Sequence, residues 1–397
     1  MNQSKHLFVV FTLGVSLFKW HEIGILDREI QIYKSYIKEG WNITFLTYGD
    51  YKDREILNKF YGDRFQLIAL KGRSNIFSKF DNQYINILYS IKAIFILFFY
   101  RKKIDLVKSS QLYGCWVCAI FSLINKKPWL SRTGYDFFAF LKFDISKKNN
   151  FFERMLKIFF LKWIHLIFGN MANSMIVSSE KDYENTNKWF NGEIIINKNW
   201  VYIPKFSSEN FKIKSEKLVS NKKLKLIIIG RLEYQKRIDL AIDALNEAKI
   251  DFSLDIYGNG SQLLNLKKNI NNSISKKIKF LGNLENKKLI KTMKNYDILI
   301  STSEIEGTPK VILEAMASGL IILARKCRGN SDLINNEKNG YLFDDKKSFL
   351  RILEDFRKIP SKEIENMLIN NYTRICEKHC FEKFAELEIS LAKKILK

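Results

Sequence analysis

The chain has 397 residues, 46% hydrophobic and 27% charged, with only 18 Gly and 4 Pro. That is enough chain for two domains with sizeable cores, and it excludes a disordered, collagen-like or low-complexity protein. The formal net charge of +24 is shared almost evenly by residues 1–205 and 206–397, so it coats a folded surface. It suits nucleotide phosphates or anionic lipid, and equally a Lys-rich composition without functional meaning.

A nucleic-acid partner is not expected, because the sequence has no zinc-finger spacing, no basic zipper and no RNP-type strand. The apolar run 7–18 follows Lys5 as a signal peptide would, but Lys19, Trp20, His21 and Glu22 come where a small-residue cleavage site belongs. A buried first strand over 6–12 explains the pattern better. Segments 85–100 and 151–168 contain or border Lys and Arg and fall short of about 20 apolar residues, so no membrane-spanning helix is expected. Five cysteines, an odd number, and no secretion signal point to a reducing cytoplasm.

In chain order, the strand at 7–12 leads into a loop over 14–23. A helix over 25–38 stops at Gly40, and a strand over 41–48 turns at Gly49 and Asp50. A strand over 65–70, a long helix over 82–101 and a short strand over 106–108 come next. A strand over 128–132 runs into the loop Thr133, Gly134, Tyr135, Asp136; a strand over 175–178 and a helix from 180 complete this part. Strands separated by such helices predict a parallel sheet covered on both faces.

Residues 206–223 are polar, rich in Lys and Ser and without strong period, and read as a linker. Beyond it the alternation is cleaner: strand 224–229 ended by Gly230, helix 238–248, strand 252–257 closed by Gly258, strand 278–281, strand 298–301, helix 311–317 stopped by Gly319, strand 320–324. The expected domains are 1–205, a second doubly wound sheet over 224–372, and a helical segment over 373–397 that packs back on the first. Two such domains leave a cleft, where ligands usually bind.

Two clusters carry chemistry. In 301–330 Glu306 sits in a loop after a strand, with Glu314 eight positions later in a helix. A carboxylate at the carboxyl end of a parallel strand lies at the ligand-binding edge of the sheet. Gly307 allows close backbone approach, and the first turn of the following helix offers N–H groups for phosphate or sugar hydroxyls. A carboxylate such as Glu314 can accept from both hydroxyls of a ribose. Each acid alone also reads as surface decoration, Glu306 as an exposed loop acid and Glu314 as one favoured by the helix dipole. The second cluster, Gly230 and Arg231 with Lys236, supplies cations for a diphosphate from the same edge. Acids for hydroxyls and cations for phosphates together describe a nucleotide-sugar pocket.

With G-R-L-x3-K-R at 230–237, Y-G-N-G at 257–260, F-L-G at 280–282 and E-x7-E ahead of A-M-A-S-G at 306–319, the sequence resembles the family-4 retaining glycosyltransferases of the GT-B fold. The resemblance covers the C-terminal domain in order and spacing, and the N-terminal domain only loosely, at 131–136 and 175–180. It implies two Rossmann-like domains facing each other across a cleft, the N-terminal one for the acceptor and the C-terminal one for the donor. It also implies that Arg231 and Lys236 hold the donor diphosphate, that Glu306 contacts the transferred sugar and that Glu314 contacts the ribose. Gly307, Thr308, and the amides of Lys310 and Val311 would bind sugar and phosphates, since Pro309 has no N–H. Gly282, Asn283 and Leu284 would lie near the base, with Gly230 and Gly258 at the strand ends. Members of the family retain anomeric configuration and need no metal or other cofactor, and no Asp-x-Asp motif occurs here. On the acceptor side the candidates are His21, Arg132 and Asp136.

Cys115 and Cys118 have redox spacing but open an apolar helical run, which favours buried helix cysteines. Cys376, His379 and Cys380 lack a second ligand pair for zinc. The expectation is a cytoplasmic, retaining, metal-independent transferase that moves a sugar from a nucleoside diphosphate donor to a hydroxyl of a bacterial surface glycan. That glycan, of the lipopolysaccharide or capsule kind, is expected to be lipid-linked. Segments 85–103 and 151–168 suit an anionic membrane surface, and equally suit helices packed on their own sheet. The alternatives are a same-fold epimerase or phosphorylase, or a non-catalytic nucleotide- or sugar-binding protein. Donor base, sugar, linkage, acceptor and oligomeric state are not legible in the sequence.

Overall fold

The computed structural model describes residues 4–72, 83–134 and 151–397. The chain divides into two compact units, one of residues 1–198 and 384–397, the other of residues 199–383.

The first unit is built on β1 (His6–Val10), β2 (Asn42–Thr47), β3 (Gln66–Ala69), β4 (Leu106–Ser109), β5 (Trp129–Thr133), β6 (Ser174–Val177) and β7 (Glu193–Ile196). They form one parallel sheet in the order β3-β2-β1-β4-β5-β6-β7. The second unit contains β8 (Lys223–Ile229), β9 (Asp251–Tyr257), β10 (Ile278–Gly282), β11 (Ile298–Ser301), β12 (Ile321–Arg325) and β13 (Tyr341–Phe343). Its sheet is also parallel, in the order β10-β9-β8-β11-β12-β13. Each sheet reverses direction beside its first strand, the doubly wound arrangement of a Rossmann-like fold. In the second unit the reversal lies between β8 and β11, so the loops after Ile229 and Ser301 open at one place on the sheet edge.

Local chemistry explains the elements. The run Leu226, Ile227 and Ile228 is buried on both sides of β8, as a central parallel strand requires. Helix Lys310–Ala317 ends where Gly319 adopts φ +70°. There Gly319 N–H donates to Met316 O at 3.2 Å and Leu320 N–H to Ala315 O at 3.0 Å, the paired bonds of a Schellman cap.

Several expectations need correction. The segment 206–223 is not a linker: Ser208–Ser220 is a helix with a capping box at Ser207. Its Phe211, Ser215 and Leu218 recur at helical spacing and are buried against the core of the second unit, a narrow stripe that the surrounding Lys and Ser disguise. The loop after β1 contains a short helix, Leu17–Glu22, whose start is capped by the Ser16 hydroxyl accepting from Lys19 N–H at 3.1 Å. Helix Tyr51–Tyr61 and strands β7 and β13 were not anticipated. The terminal segment divides at 383/384, not at 372/373: helix Ser361–Lys378 buries Ile364, Met367 and Leu368 in the second unit's core.

Residues 384–397 are fixed within the first unit by a buried ion cluster. The Glu388 carboxylate accepts from Lys108 Nζ and, at 3.3 Å, from Arg132. Burial holds the Lys108 ammonium below its ordinary lysine value, against the pull of Glu388.

Candidate functional site

The site builds up from β8. Gly230 ends that strand, with its N–H donating to Tyr257 O at 3.0 Å, and Gly258 N–H donates to Gly282 O at 2.8 Å. The ends of β8, β9 and β10 therefore lie side by side. A Cβ on Gly258, at φ +137°, would sit 1.9 Å from Gly230 O, so only glycine fits this approach.

Residues 234–236 form a single 3-10 turn that swings Lys236 back over Gly230, its Cε 3.6 Å from where a Cβ on that glycine would stand. Three hydrogen bonds tie this loop to the one after β11. Thr302 Oγ1 donates to Lys236 O at 2.6 Å, Glu304 N–H to Gln235 O at 3.0 Å, and Gln235 Nε2 to Ile305 O at 2.8 Å. Arg237 adds an ionic tie, donating to Glu304 Oε1 at 2.8 Å while it also pairs with Asp239. With both loops fixed, Lys236 Nζ donates directly to the Glu306 carboxylate.

Glu306 is supported from its other side. Its N–H donates to Arg328 O at 3.1 Å, and Gly329, at φ +88°, presses on the loop so closely that a Cβ there would lie 2.2 Å from Gly307 O. Cys327 borders this loop, and burial, with the Glu306 charge adding to it, pushes its thiol up to about 11.

Glu306 is 8% exposed and Glu314 3%, which rules out surface decoration for either. Glu314 lies in the second half of helix Lys310–Ala317, whose first turn contains no acid, so the dipole does not explain it. Its Oε1 accepts from Asn286 Nδ2 at 2.8 Å. Asn286 opens the helix Asn286–Met293, just after Gly282, Asn283 and Leu284. Pro309 precedes the helix that bears Lys310 and Val311 and makes no side-chain cap. Arg231 is exposed beside this edge.

Gln235, Asn286, Thr302, Glu304 and Gly329 are not singled out by any sequence pattern. The R in G-R-L-x3-K-R at 237 was visible, but its partner Glu304 lies 67 residues away. On the acceptor side, His21 is exposed at the end of its short helix, its ring 5.2 Å from that of Phe60. Arg132 does not stand open at the sheet edge: it pairs with Glu388 and lies 4.8 Å over the Phe384 ring. Asp136 falls outside the described residues.

Residues 209–374 match the family described as glycosyl transferases group 1. The chain is 33% identical over 136 residues to the UDP-N-acetylglucosamine--peptide N-acetylglucosaminyltransferase GtfA subunit of Streptococcus agalactiae, covering 33% of this chain and 26% of that protein. It is 30% identical over 124 residues to the UDP-Gal:alpha-D-GlcNAc-diphosphoundecaprenol alpha-1,3-galactosyltransferase of Escherichia coli, covering 30% and 32%. The chain thus spans only about a third or less of the length of these curated relatives. The structure of Anabaena Alr3699/HepE in complex with UDP-glucose superposes over 99% of this chain and 100% of that one, with TM-score 0.67 and 15% identity. That likeness establishes a fold, the two Rossmann-like units of GT-B.

Proposed function

Starting from the match of residues 209–374 to glycosyl transferases group 1, we propose that this protein is a retaining glycosyltransferase. It moves a sugar from a nucleoside diphosphate donor to a hydroxyl group. The observation that carries this is the Lys236–Glu306 pair at the switch point of the second sheet. A cation for the diphosphate and an acid for the sugar stand side by side, as the diphosphate and the sugar do in the donor.

In this reading Arg231 and Lys236 neutralise the charge that grows on the diphosphate as its bond to the anomeric carbon breaks. The acceptor oxygen bonds to that carbon on the same face, and its proton passes to the departing phosphate oxygen. The protein's own cations supply the stabilisation, so no metal is required. Glu306 orients the sugar hydroxyls and Glu314 the ribose, with Gly230, Gly258, Gly282, Asn283 and Leu284 framing the nucleotide. Gly307, Thr308, and the amides of Lys310 and Val311 receive sugar and phosphate oxygens at a helix start. The relatives' UDP-linked donors favour a uridine nucleotide, and the diphosphoundecaprenol-linked substrate of one of them favours a lipid-linked surface glycan as acceptor.

A hydrolysis and transfer screen over UDP-, GDP- and dTDP-sugars tests the reading. Turnover of a UDP-sugar that rises on adding a glycan acceptor is expected. Turnover of donor to an epimer or a sugar phosphate without acceptor would replace it with the epimerase or phosphorylase alternative.

A further inference from the structure

Three helices lie side by side on one face of the first unit's sheet, with Trp116–Asn125 packed against both Gln83–Tyr100 and Phe151–Gly169. Their inner sides fill a core of Ala93, Leu97, Val117 and Phe121, with Phe168 packed on it. Their outer sides are apolar too. Ile91, Phe95 and Phe99 follow one another at four-residue spacing and are exposed, Phe99 by 84%. Phe159, Trp163 and Ile167 repeat the pattern on the third helix, and Leu123 and Ile124 stand exposed on the helix between them. Monomeric soluble proteins rarely present an apolar surface this continuous to water.

The exposed charges described on this face have one sign. Exposed Lys92, Arg101, Lys102, Lys103, Lys126 and Lys162 punctuate or flank the stripes. Residues 83–103, 116–127 and 155–171 contain no Asp or Glu, and the one acid in the three helices is Glu153, in the first turn of Phe151–Gly169. A protein partner does not require that exclusion, whereas an anionic lipid surface rewards it at every position. Large aromatic side chains at the apolar centre and long cationic ones beside them match the acyl and headgroup layers. Among the described residues no helix is long and apolar enough to cross a membrane, so the geometry is that of a face laid on a bilayer.

We infer that this three-helix face docks the protein on an anionic lipid bilayer, with Phe95, Phe99, Phe159 and Trp163 entering the acyl boundary and the lysines holding the headgroups. The inference deepens the proposed function by naming the surface on which a lipid-linked acceptor is met, yet its test needs no donor or acceptor.

The full-length protein is floated with vesicles of phosphatidylcholine alone, or of phosphatidylcholine mixed with phosphatidylglycerol, at physiological salt. Binding is expected only to the second. Phe95→Asp and Phe159→Asp should each weaken it about tenfold. Lys102→Gln with Lys103→Gln should weaken it and flatten its salt dependence. Donor hydrolysis and thermal melting, expected unchanged in all variants, separate a lost membrane face from a lost fold or a failed assignment of activity. No binding to the anionic vesicles, or equal binding by the Phe variants, would overturn the inference. So would self-association in sedimentation that the same variants abolish, which would give the face to a second copy of the chain.

Discussion

Lys236 Nζ donates a hydrogen bond to the Glu306 carboxylate across a sequence separation of 70 residues. Both side chains are held in loops at the carboxyl ends of neighbouring strands, Lys236 after β8 and Glu306 after β11. Their partnership makes the roles of the two groups separable by substitution.

Replacing Glu306 by Gln keeps the shape and a hydrogen-bonding group but removes the charge. Transfer should fall by about 100-fold or more in kcat, while nucleoside diphosphate affinity, measured by calorimetry, stays within a few-fold of the parent. Retained transfer would remove Glu306 from the site.

Glu314 is buried, and its carboxylate accepts from Asn286. Glu314→Gln should raise the donor KM with a smaller effect on kcat, because the ribose is held alike in ground and transition states. Asn286→Ala should act in the same direction more weakly, by leaving Glu314 less firmly oriented. Steady-state kinetics with donor varied at saturating acceptor measures both.

At Gly258 a methyl group has no room against Gly230 O, and the backbone stands at φ +137°. Gly258→Ala should cost on the order of 2–4 kcal/mol of stability and loosen nucleotide binding as the strand ends move apart. Urea denaturation reads the first effect, and titration with nucleoside diphosphate the second.

Cys327 supplies a pH signature. Its thiol is pushed up to about 11, chiefly by burial. Alkylation by iodoacetamide, followed by mass spectrometry, should therefore be slow at neutral pH and accelerate toward pH 11, since only the thiolate reacts. The folded state holds this proton more tightly than the unfolded chain does. Its contribution to stability should accordingly be lost as pH rises from the ordinary thiol range through about 11. If donor binds beside Glu306, it should also slow the alkylation.

In the first unit, Glu388 is the buried acid shared by Lys108 and Arg132. Glu388→Ala leaves two cations without their carboxylate, at a cost of about 3–5 kcal/mol, and should expose residues 384–397 to proteolysis first. Unchanged protection of that segment would show that apolar packing of Phe384, Ile389 and Leu391 suffices to hold it.

Much of this was legible in the sequence because it is local or periodic. The buried run of β8 and the glycine stop at Gly319 are each written within one strand or turn, and the eight-residue offset of Glu306 and Glu314 spans a single loop and the helix after it. The helix Ser208–Ser220 was not, because three buried positions among polar neighbours give too weak a period to separate from a loop.

By itself the sequence determined two parallel sheets with helices between their strands, and an edge where acids and cations gather. Only the tertiary structure decided which of those groups meet. It seated Arg132 against Glu388, and it joined Arg237 to Glu304 and Lys236 to Glu306. The physical reason is that strand order is set by long-range packing: the reversal between β8 and β11 makes neighbours of loops that no sequence period connects.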